Sequence, residues 1–456
     1  MKSNSQKKPI VRIAPSPTGF FHIGGARTAL FNLLFTRKQG GTFILRSEDT
    51  DVERSKKEYE DDILLSMDWL GLTYDDFFRQ SERLDIYKKY LKEMIHSGVA
   101  YVSKEEQKEA GDRAEVIRFK NPNRIVQFED LIRGSVSFNT TDLGDFVIAK
   151  SIDEPLYHLA VVIDDHEMGV THVIRGEEHL SNTPRQILIQ EAIGAIRPIY
   201  AHLPLILDSD RKKLSKRKHG EAVWINFYKK QGYLPEALLN YLALLGWNPG
   251  TEQELFTLSE LIDAFEIEKV QKSGAVFNEE KLKWINKEHM KGLPADVIKK
   301  NINERIQSSK KFKEKNWTLS AGTLSRLYKT IFDHISYWGE VGQMIDAGEL
   351  DYAFESPKYA KGLLFWKDEK DTVATKTRLE KVLSFIQQIS DSDFKAEFIK
   401  KIIWDYATLE GRGQVLWPMR VALSGKKKSP DPFVLSEILG KEEAIVRLND
   451  SIKTLS

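Results

Sequence analysis

Two stretches of this chain carry side chains suited to handling phosphate. APSPTGFFHIGG, residues 14–25, gathers two prolines, three glycines and His22 between the β-branched run IVRI and the apolar-periodic ARTALFNLLF. KLSKR, residues 213–217, sits in a tract dominated by Lys and Arg, with Leu214 the one apolar residue from Arg211 to Lys218. A histidine and glycines at the mouth of a helix favour anions, because the first helical N–H groups have no intrahelical partner. Lysines act on phosphoryl oxygens as point charges. Each stretch alone also fits a plainer reading: a Gly/Pro loop with a structural histidine, and a solvated basic loop. Neither is a P-loop or a GxGxxG fingerprint.

The flanking patterns decide where these groups stand. Ile10 to Ile13 read as a buried strand, and Ala26, Ala29, Leu30, Leu33 and Leu34 share one helix face that stops at Gly40 and Gly41. TFILRSED (42–49) reads as a second strand and completes a βαβ unit. Two helices follow, ending at Gly71 and Gly98. From Val99 to Glu154 short strands (VIRFK, SVSFN, FVIAK) and turns suggest a small insert. YHLAVVI (157–163), THVIRG (171–176) and IYAHLPLIL (199–207) are expected as strands, with TPRQILIQEAI (183–193) as a helix. Beyond Trp224 the pattern is helical, with a lysine-rich break, SSKKFKEKN (308–316), near an expected domain boundary. The fold class expected is α/β: a Rossmann-type parallel sheet with a small α+β insert, then a mostly α-helical C-terminal half. His22 and KLSKR would then share the C-terminal edge of the strands, where open sheets bind ligands. That combination suits adenylyl transfer from ATP, which needs the triphosphate held and its developing charge neutralised.

Bulk properties narrow the classes. Lys plus Arg (68) nearly cancels Asp plus Glu (67), so a polyanionic partner must be met by local patches. The absence of cysteine removes disulfides, thiol catalysis and Cys-containing zinc sites. With no apolar run near the ~20 residues of a membrane span, a soluble cytoplasmic protein is expected. Asp164, Asp165, His166, His172, Glu177, Glu178 and His179 suggest a metal site, but their spacing fits neither HExxH nor a finger, and strand alternation would scatter them. Magnesium is expected to arrive with ATP.

The wider sequence resembles glutamyl-tRNA synthetases of class I. HIGG and KLSKR are similar to the two signatures of that class. The resemblance extends through RIAPSPTGFFHIGGARTALFN, ILRSEDTD, QSERLDIY, DLIRG, YHLAVVIDDHEMGVTHVIRGEEHLSNTPRQ, KLSKRKHG, GYLPEALLNYLALLGW, FNEEKLKWIN, RVALSG and EILGKEEAIVRL, in that order. It implies catalytic roles for His22, Lys213 and Lys216, and ATP binding by His22, Gly24, Gly25, Lys213, Ser215 and Lys216. Glutamate would be held by Arg12 and Arg175 through its carboxylates, by Glu48 through its ammonium, and by Ser16 and Tyr157. The two arginines are expected at strand ends without protein partners.

The implied organisation is a catalytic domain in two halves (1–98 and 156–222), an acceptor-binding insert (99–155), a stem-contact region (223–300) and an anticodon-binding domain (301–456). The implied partners are ATP, L-glutamate and tRNA(Glu), acted on by a monomer. Many bacterial relatives carry zinc in the insert; here no zinc is expected, and the insert should fold around its own apolar strands. Members restricted to tRNA(Glu) read the third anticodon base with an arginine, yet none lies between Arg326 and Arg378, and FDHISYWGEV offers His334 instead. A weaker reader would extend charging to tRNA(Gln). The rival readings are a small-molecule nucleotidyltransferase, which has no use for the helical half, and a non-catalytic RNA-binding paralogue, which has no need of His22 and Lys216.

Overall fold

The computed structural model describes residues 8–106 and 114–456, apart from the side chain of Lys216. The chain forms two compact units that divide between His289 and Met290. Part of the expected insert, residues 107–113, lies outside the described residues.

The first unit opens with β1 (Ile10–Ile13), α1 (Ile23–Lys38), β2 (Thr42–Ser47), α2 (Lys57–Trp69), β3 (Asp76–Arg79) and α3 (Leu84–His96). β1, β2 and β3 form a parallel sheet, with Ile10 opposite Thr42 and Ile44 opposite Asp76. α1 buries nearly every residue from Ala26 to Thr36 against this sheet and its neighbours, and basic Arg37 and Lys38 complement its C-terminal dipole. β3 has no counterpart in the sequence reading, because four residues (DFFR) give too little alternation to register.

β4 (Ala100–Lys104), β5 (Glu115–Phe119), β6 (Ile125–Asp130), β7 (Gly134–Asn139), β8 (Phe146–Ser151) and β9 (Glu154–Pro155) follow. They do not form one self-contained insert. β4, β5, β8 and β9 make an antiparallel sheet, whereas the β6–β7 hairpin joins the catalytic half through β6, Asp130 pairing with Tyr200. Their cores are also continuous: Ile117, Phe119, Phe128 and Ile148 pack in one cluster with Leu159, Ile163, Ile187 and Tyr200.

YHLAVVI is not a strand. It opens α4 (Tyr157–Glu167), in which every residue from Leu159 to Asp165 is buried. A helix buried all round has no polar face, so its apolar run imitates a buried strand, and the β-branched Val161, Val162 and Ile163 strengthen the disguise. β10 (His172–Gly176) and α5 (Thr183–Ala192) fall as expected. IYAHLPLIL divides at Pro204 into β11 (Ile199–Leu203) and β12 (Ile206–Leu207), since proline brings no N–H to a ladder. β11 runs parallel to β10, and β10 is tied to β1 by Thr171 N–H donating to the Ile10 carbonyl at 2.9 Å.

The unit continues with α6 (Lys216–His219), α7 (Ile225–Gln231), α8 (Pro235–Leu244), α9 (Leu258–Ala264), β13 (Ala275–Val276, paired with β12) and α10 (Glu279–Lys291). The second unit is helical from Ala295–Ser308 to Lys441–Leu455. SSKKFKEKN proves to be ordered: it contains the helix Lys310–Glu314, capped by the Ser309 hydroxyl and anchored by buried Phe312.

Candidate active site

The β1–α1 loop is held from three directions. Asp62 accepts from Phe21 N–H at 2.8 Å, the Pro15 carbonyl accepts from Glu48 N–H at 3.1 Å, and the Phe21 carbonyl accepts from Ile225 N–H at 2.9 Å. His22 caps α1, its Nδ1 accepting from Gly25 N–H at 3.0 Å. The ring itself therefore uses one of the free N–H groups expected for phosphate. Desolvation by the surrounding protein lowers the imidazole pKa, with Glu178 opposing and Lys213 assisting, while part of the ring stays open to solvent. The neutral ring then carries its proton on Nε2, free to donate. The glycines serve this arrangement directly: a Cβ on Gly24 would stand 3.0 Å from the His22 ring, and one on Gly25 would stand 2.8 Å from Phe21.

His22, Gly24, Thr28, Gly176 and Glu178 lie between two adjoining cavities. One, of about 310 Å³, is lined also by Arg27, Leu205, Ile206, Lys213, Ser215 and Trp224. The KLSKR loop borders it, and Asp208 is the loop's anchor: this carboxylate accepts from Lys212 N–H at 2.9 Å and from Lys218 Nζ at 2.7 Å. The loop is thus tied at its base, with Lys213 and Ser215 exposed above. The backbone of Lys216 opens α6; its side chain lies outside what the structure describes.

The other cavity, of about 360 Å³, brings together all five residues proposed for glutamate: Arg12, Ser16, Glu48, Tyr157 and Arg175. Their electrostatics differ from the expectation. Arg12 has a partner: its Nε and Nη2 donate to Asp165 at 3.1 and 3.3 Å. Arg46, fully buried, donates to Asp165 at 2.8 Å and to Glu48 at 3.1 Å. Asp164 is taken by Arg83 at 2.7 Å and Tyr87 at 2.7 Å. Burial pushes the Glu48 carboxyl upward against the pull of Arg46 and Arg12. Arg175 has no bond to a carboxylate among the described residues; it bonds to His202 Nε2 at 3.2 Å, Gln186 Oε1 at 2.8 Å and Thr183 Oγ1 at 2.8 Å. Tyr157 is the first residue of α4 rather than a strand residue, and its hydroxyl lies 3.2 Å from His179 Nδ1.

The sequence reading passed over Arg46, Asp165, Glu178 and His179 as site residues, the last three having been weighed only as metal ligands. Among the described residues no three His, Asp or Glu side chains gather into a group that could hold a metal. Asp164 and Asp165 sit on α4, and both are engaged by arginines. Arg46 gave no signal because a lone arginine in a strand usually points to solvent.

The second unit has a cavity of about 600 Å³ lined by Trp366, Trp404, Trp417, Lys400, Arg412 and Arg420. Arg412 lies 4.5 Å and Lys400 4.9 Å from the Trp404 ring centre. Aromatic faces beside cations suit nucleobases rather than phosphoryl chemistry.

Comparison with known proteins agrees with this division. Residues 9–110 and 103–284 match the family described as tRNA synthetases class I (E and Q), catalytic domain, and residues 305–452 match an anticodon binding domain. The glutamate–tRNA ligase of Desulforamulus reducens is 40% identical over 97% of this chain and 99% of its own length. That of Aquifex aeolicus is 40% identical over 98% and 99%. A crystal structure of a glutamate tRNA ligase from Elizabethkingia meningosepticum, in complex with its amino acid, matches with a TM-score of 0.86 at 33% identity, covering 99% of this chain and 100% of that one. With a catalytic signature over more than half its length and relatives this similar from end to end, the chain belongs to the glutamate–tRNA ligases of the class I tRNA synthetases.

Proposed function

We propose that the two adjoining cavities perform the two steps of glutamate–tRNA ligation, with glutamate in the 360 Å³ cavity and ATP in the 310 Å³ cavity. The observation that carries the reading is the unmatched charge of Arg175. On the amino-acid side, Arg12 and Arg46 are bonded to the carboxylates of Glu48 and Asp165, whereas the guanidinium of Arg175 has hydrogen bonds to neutral groups and none to a carboxylate among the described residues. The side-chain carboxylate of glutamate would supply that missing ionic partner; the amide of glutamine would not. A buried, partnered ion pair is far less costly than a buried lone charge. Arg175 would take the side-chain carboxylate and Glu48 the ammonium, with Ser16 and Tyr157 as hydrogen-bonding walls and Arg12 completing the carboxylate contacts.

The α-carboxylate oxygen would then attack the α-phosphorus of ATP, and pyrophosphate would leave. His22, through Nε2–H, and Lys213 and Lys216 would stabilise charge on the phosphate oxygens; Gly24, Gly25 and Ser215 shape the same site. A hydroxyl at the 3′ end of the tRNA would next attack the glutamyl carbonyl and release AMP. Magnesium fits as a passenger of the triphosphate, whose charge it would partly neutralise: the nucleotide cavity offers the carboxylate of Glu178 and otherwise neutral or cationic groups. The Trp404 cavity would receive an anticodon base. The reading extends to a monomer in the cytoplasm, and no helix among the described residues is long and apolar enough to cross a membrane.

The substrate range would include tRNA(Gln) beside tRNA(Glu). His334 Nδ1–H donates to the Thr330 carbonyl at 2.7 Å, which leaves a single ring nitrogen to meet a base, where a guanidinium would make a fork. The test of the main reading is pyrophosphate exchange with tRNA present. It should require glutamate, and exchange supported equally by glutamine would overturn it.

A further inference from the structure

Behind Arg175 lies a buried chain of three residues from three adjacent strands. Asp130 ends β6, His202 lies in β11 and Arg175 in β10, with Arg175 and His202 directly paired in register. Asp130 Oδ2 lies 2.6 Å from His202 Nδ1, and His202 Nε2 lies 3.2 Å from Arg175 Nε. The Asp130 and His202 side chains are fully sealed from solvent. Asp130 also accepts from the backbone N–H groups of Ile132 at 2.9 Å, Arg133 at 2.8 Å and His202 at 3.1 Å.

The chemistry of the ends fixes the proton in the middle. A guanidinium has five N–H donors and no acceptor, so His202 Nε2 must present its lone pair to Arg175. The single proton of a neutral ring then stands on Nδ1, where the Asp130 carboxylate receives it. Burial holds the imidazole below its ordinary pKa, which keeps a second cation away from Arg175. With Nε bonded to His202, Nη1 to Gln186 and Nη2 to Thr183, one hydrogen remains on each terminal nitrogen of Arg175. Hydrogens on the two neighbouring terminal nitrogens of a guanidinium can fork one carboxylate.

We propose that Asp130 and His202 are positioning residues for amino-acid selection, locking the tautomer that turns the Arg175 fork toward the side-chain carboxylate of glutamate. This rests on the assignment of Arg175 to that carboxylate. It also gives the β6–β7 hairpin, a part of the insert, a direct line to the amino-acid pocket, since Asp130 belongs to the hairpin and not to the strands that flank the cleft. A buried histidine that merely fills space needs neither a carboxylate behind it nor a guanidinium before it.

Asp130→Asn is the sharpest variant. The amide keeps the shape and an acceptor for the backbone, but its NH₂ faces Nδ1, which drives the ring proton to Nε2 and against Arg175. The KM for glutamate should rise about tenfold or more while the KM for ATP stays within about twofold, and discrimination against glutamine should shrink. His202→Gln, whose side-chain carbonyl can replace Nε2 as the acceptor, should recover most of the loss seen in His202→Ala. Equal losses toward glutamate and ATP, or no loss in folded Asp130→Asn, would overturn the proposal. If these variants do not fold, ¹⁵N NMR of the unmodified protein decides alone: His202 should show the proton on Nδ1, and a proton on Nε2 refutes the lock. Failure of the glutamate reading would appear separately, as unmodified protein that does not require glutamate for exchange.

Discussion

Arg46 Nη2 donates to Glu48 Oε1 at 3.1 Å, and both side chains are shut away from solvent. The same guanidinium bonds Asp165 at 2.8 Å and lies 3.7 Å from Asp164, so one β2 cation meets three carboxylates, one from the loop after β2 and two from α4, with Arg12 and Arg83 sharing the α4 pair. Arg46→Met should strand those carboxylates in a dry environment. Breaking one partner of a buried pair costs about 3–5 kcal/mol, and urea unfolding should show a loss of that order. A loss below about 1 kcal/mol would mean that water reaches the cluster.

Arg175→Ala should behave in the opposite way. Its partners are neutral, so no buried charge is left behind and the fold should survive. What disappears is the partner of the substrate carboxylate. We expect the KM for glutamate to rise at least about thirtyfold, about 2 kcal/mol at 1.4 per decade, with the KM for ATP little changed. Equal effects on both substrates would remove Arg175 from the glutamate pocket.

Lys216→Ala bears on the chemical step. A lysine acting on charge that exists mainly in the transition state lowers kcat and leaves tRNA affinity nearly intact. Adenylate formation should slow by on the order of 10²–10³-fold, the usual cost of losing one electrostatic stabiliser. Pyrophosphate exchange slowed less than about threefold would exclude the role.

Acid should weaken the fold well above the ordinary carboxylate range. Burial lowers His158 and His179 from 6.5 to about 4, with Arg185 and Arg175 respectively adding to the effect. Between those values the unfolded chain holds protons on both rings that the folded chain refuses, so stability falls as pH falls. Each ring accounts for about 1.4 kcal/mol per pH unit within that window. Glu48 acts in the other sense, because its raised pKa lets the folded state take up a proton first. Urea midpoints near pH 7 and near pH 5 measure the sum, and His158→Gln should flatten the dependence by about one ring's share. An unchanged slope in that variant would show that His158 protonates in the fold.

Anticodon selection is open to a direct charging assay. With His334 in place of an arginine, the chain should place glutamate on tRNA(Gln) within about a hundredfold of its efficiency on tRNA(Glu), about 2.8 kcal/mol at 1.4 per decade. His334→Arg should widen the gap by favouring tRNA(Glu). A preference beyond a hundredfold in the unmodified protein would assign the discrimination to another residue.

The local pieces of this site are legible in the chain itself. A strand, a Gly/Pro loop and a helix follow one another within thirty residues of Ile10, so β1, the helix mouth at His22 and α1 are legible from periodicity and the glycine stop, whereas the capping bond of His22 appears only in the structure. The order of its motifs was enough to indicate the family, and with it Arg12, Ser16, Glu48, Tyr157 and Arg175, which do line one cavity. Tertiary structure decided everything that depends on who meets whom. Arg12 and Asp165 lie 153 positions apart and Arg46 and Asp165 119 apart, so no local pattern announces that one arginine of the pocket is neutralised and another is not. YHLAVVI imitates a strand because Leu159 to Ile163 are buried all round their helix, a property set by the neighbours and not by these residues themselves. Likewise, β6 lies within the expected insert yet pairs with β11, and only that pairing sets Asp130 behind His202 and His202 behind Arg175. Periodicity reports the environment a segment expects; charge balance in a buried site is a sum over segments, and it exists only once they have packed.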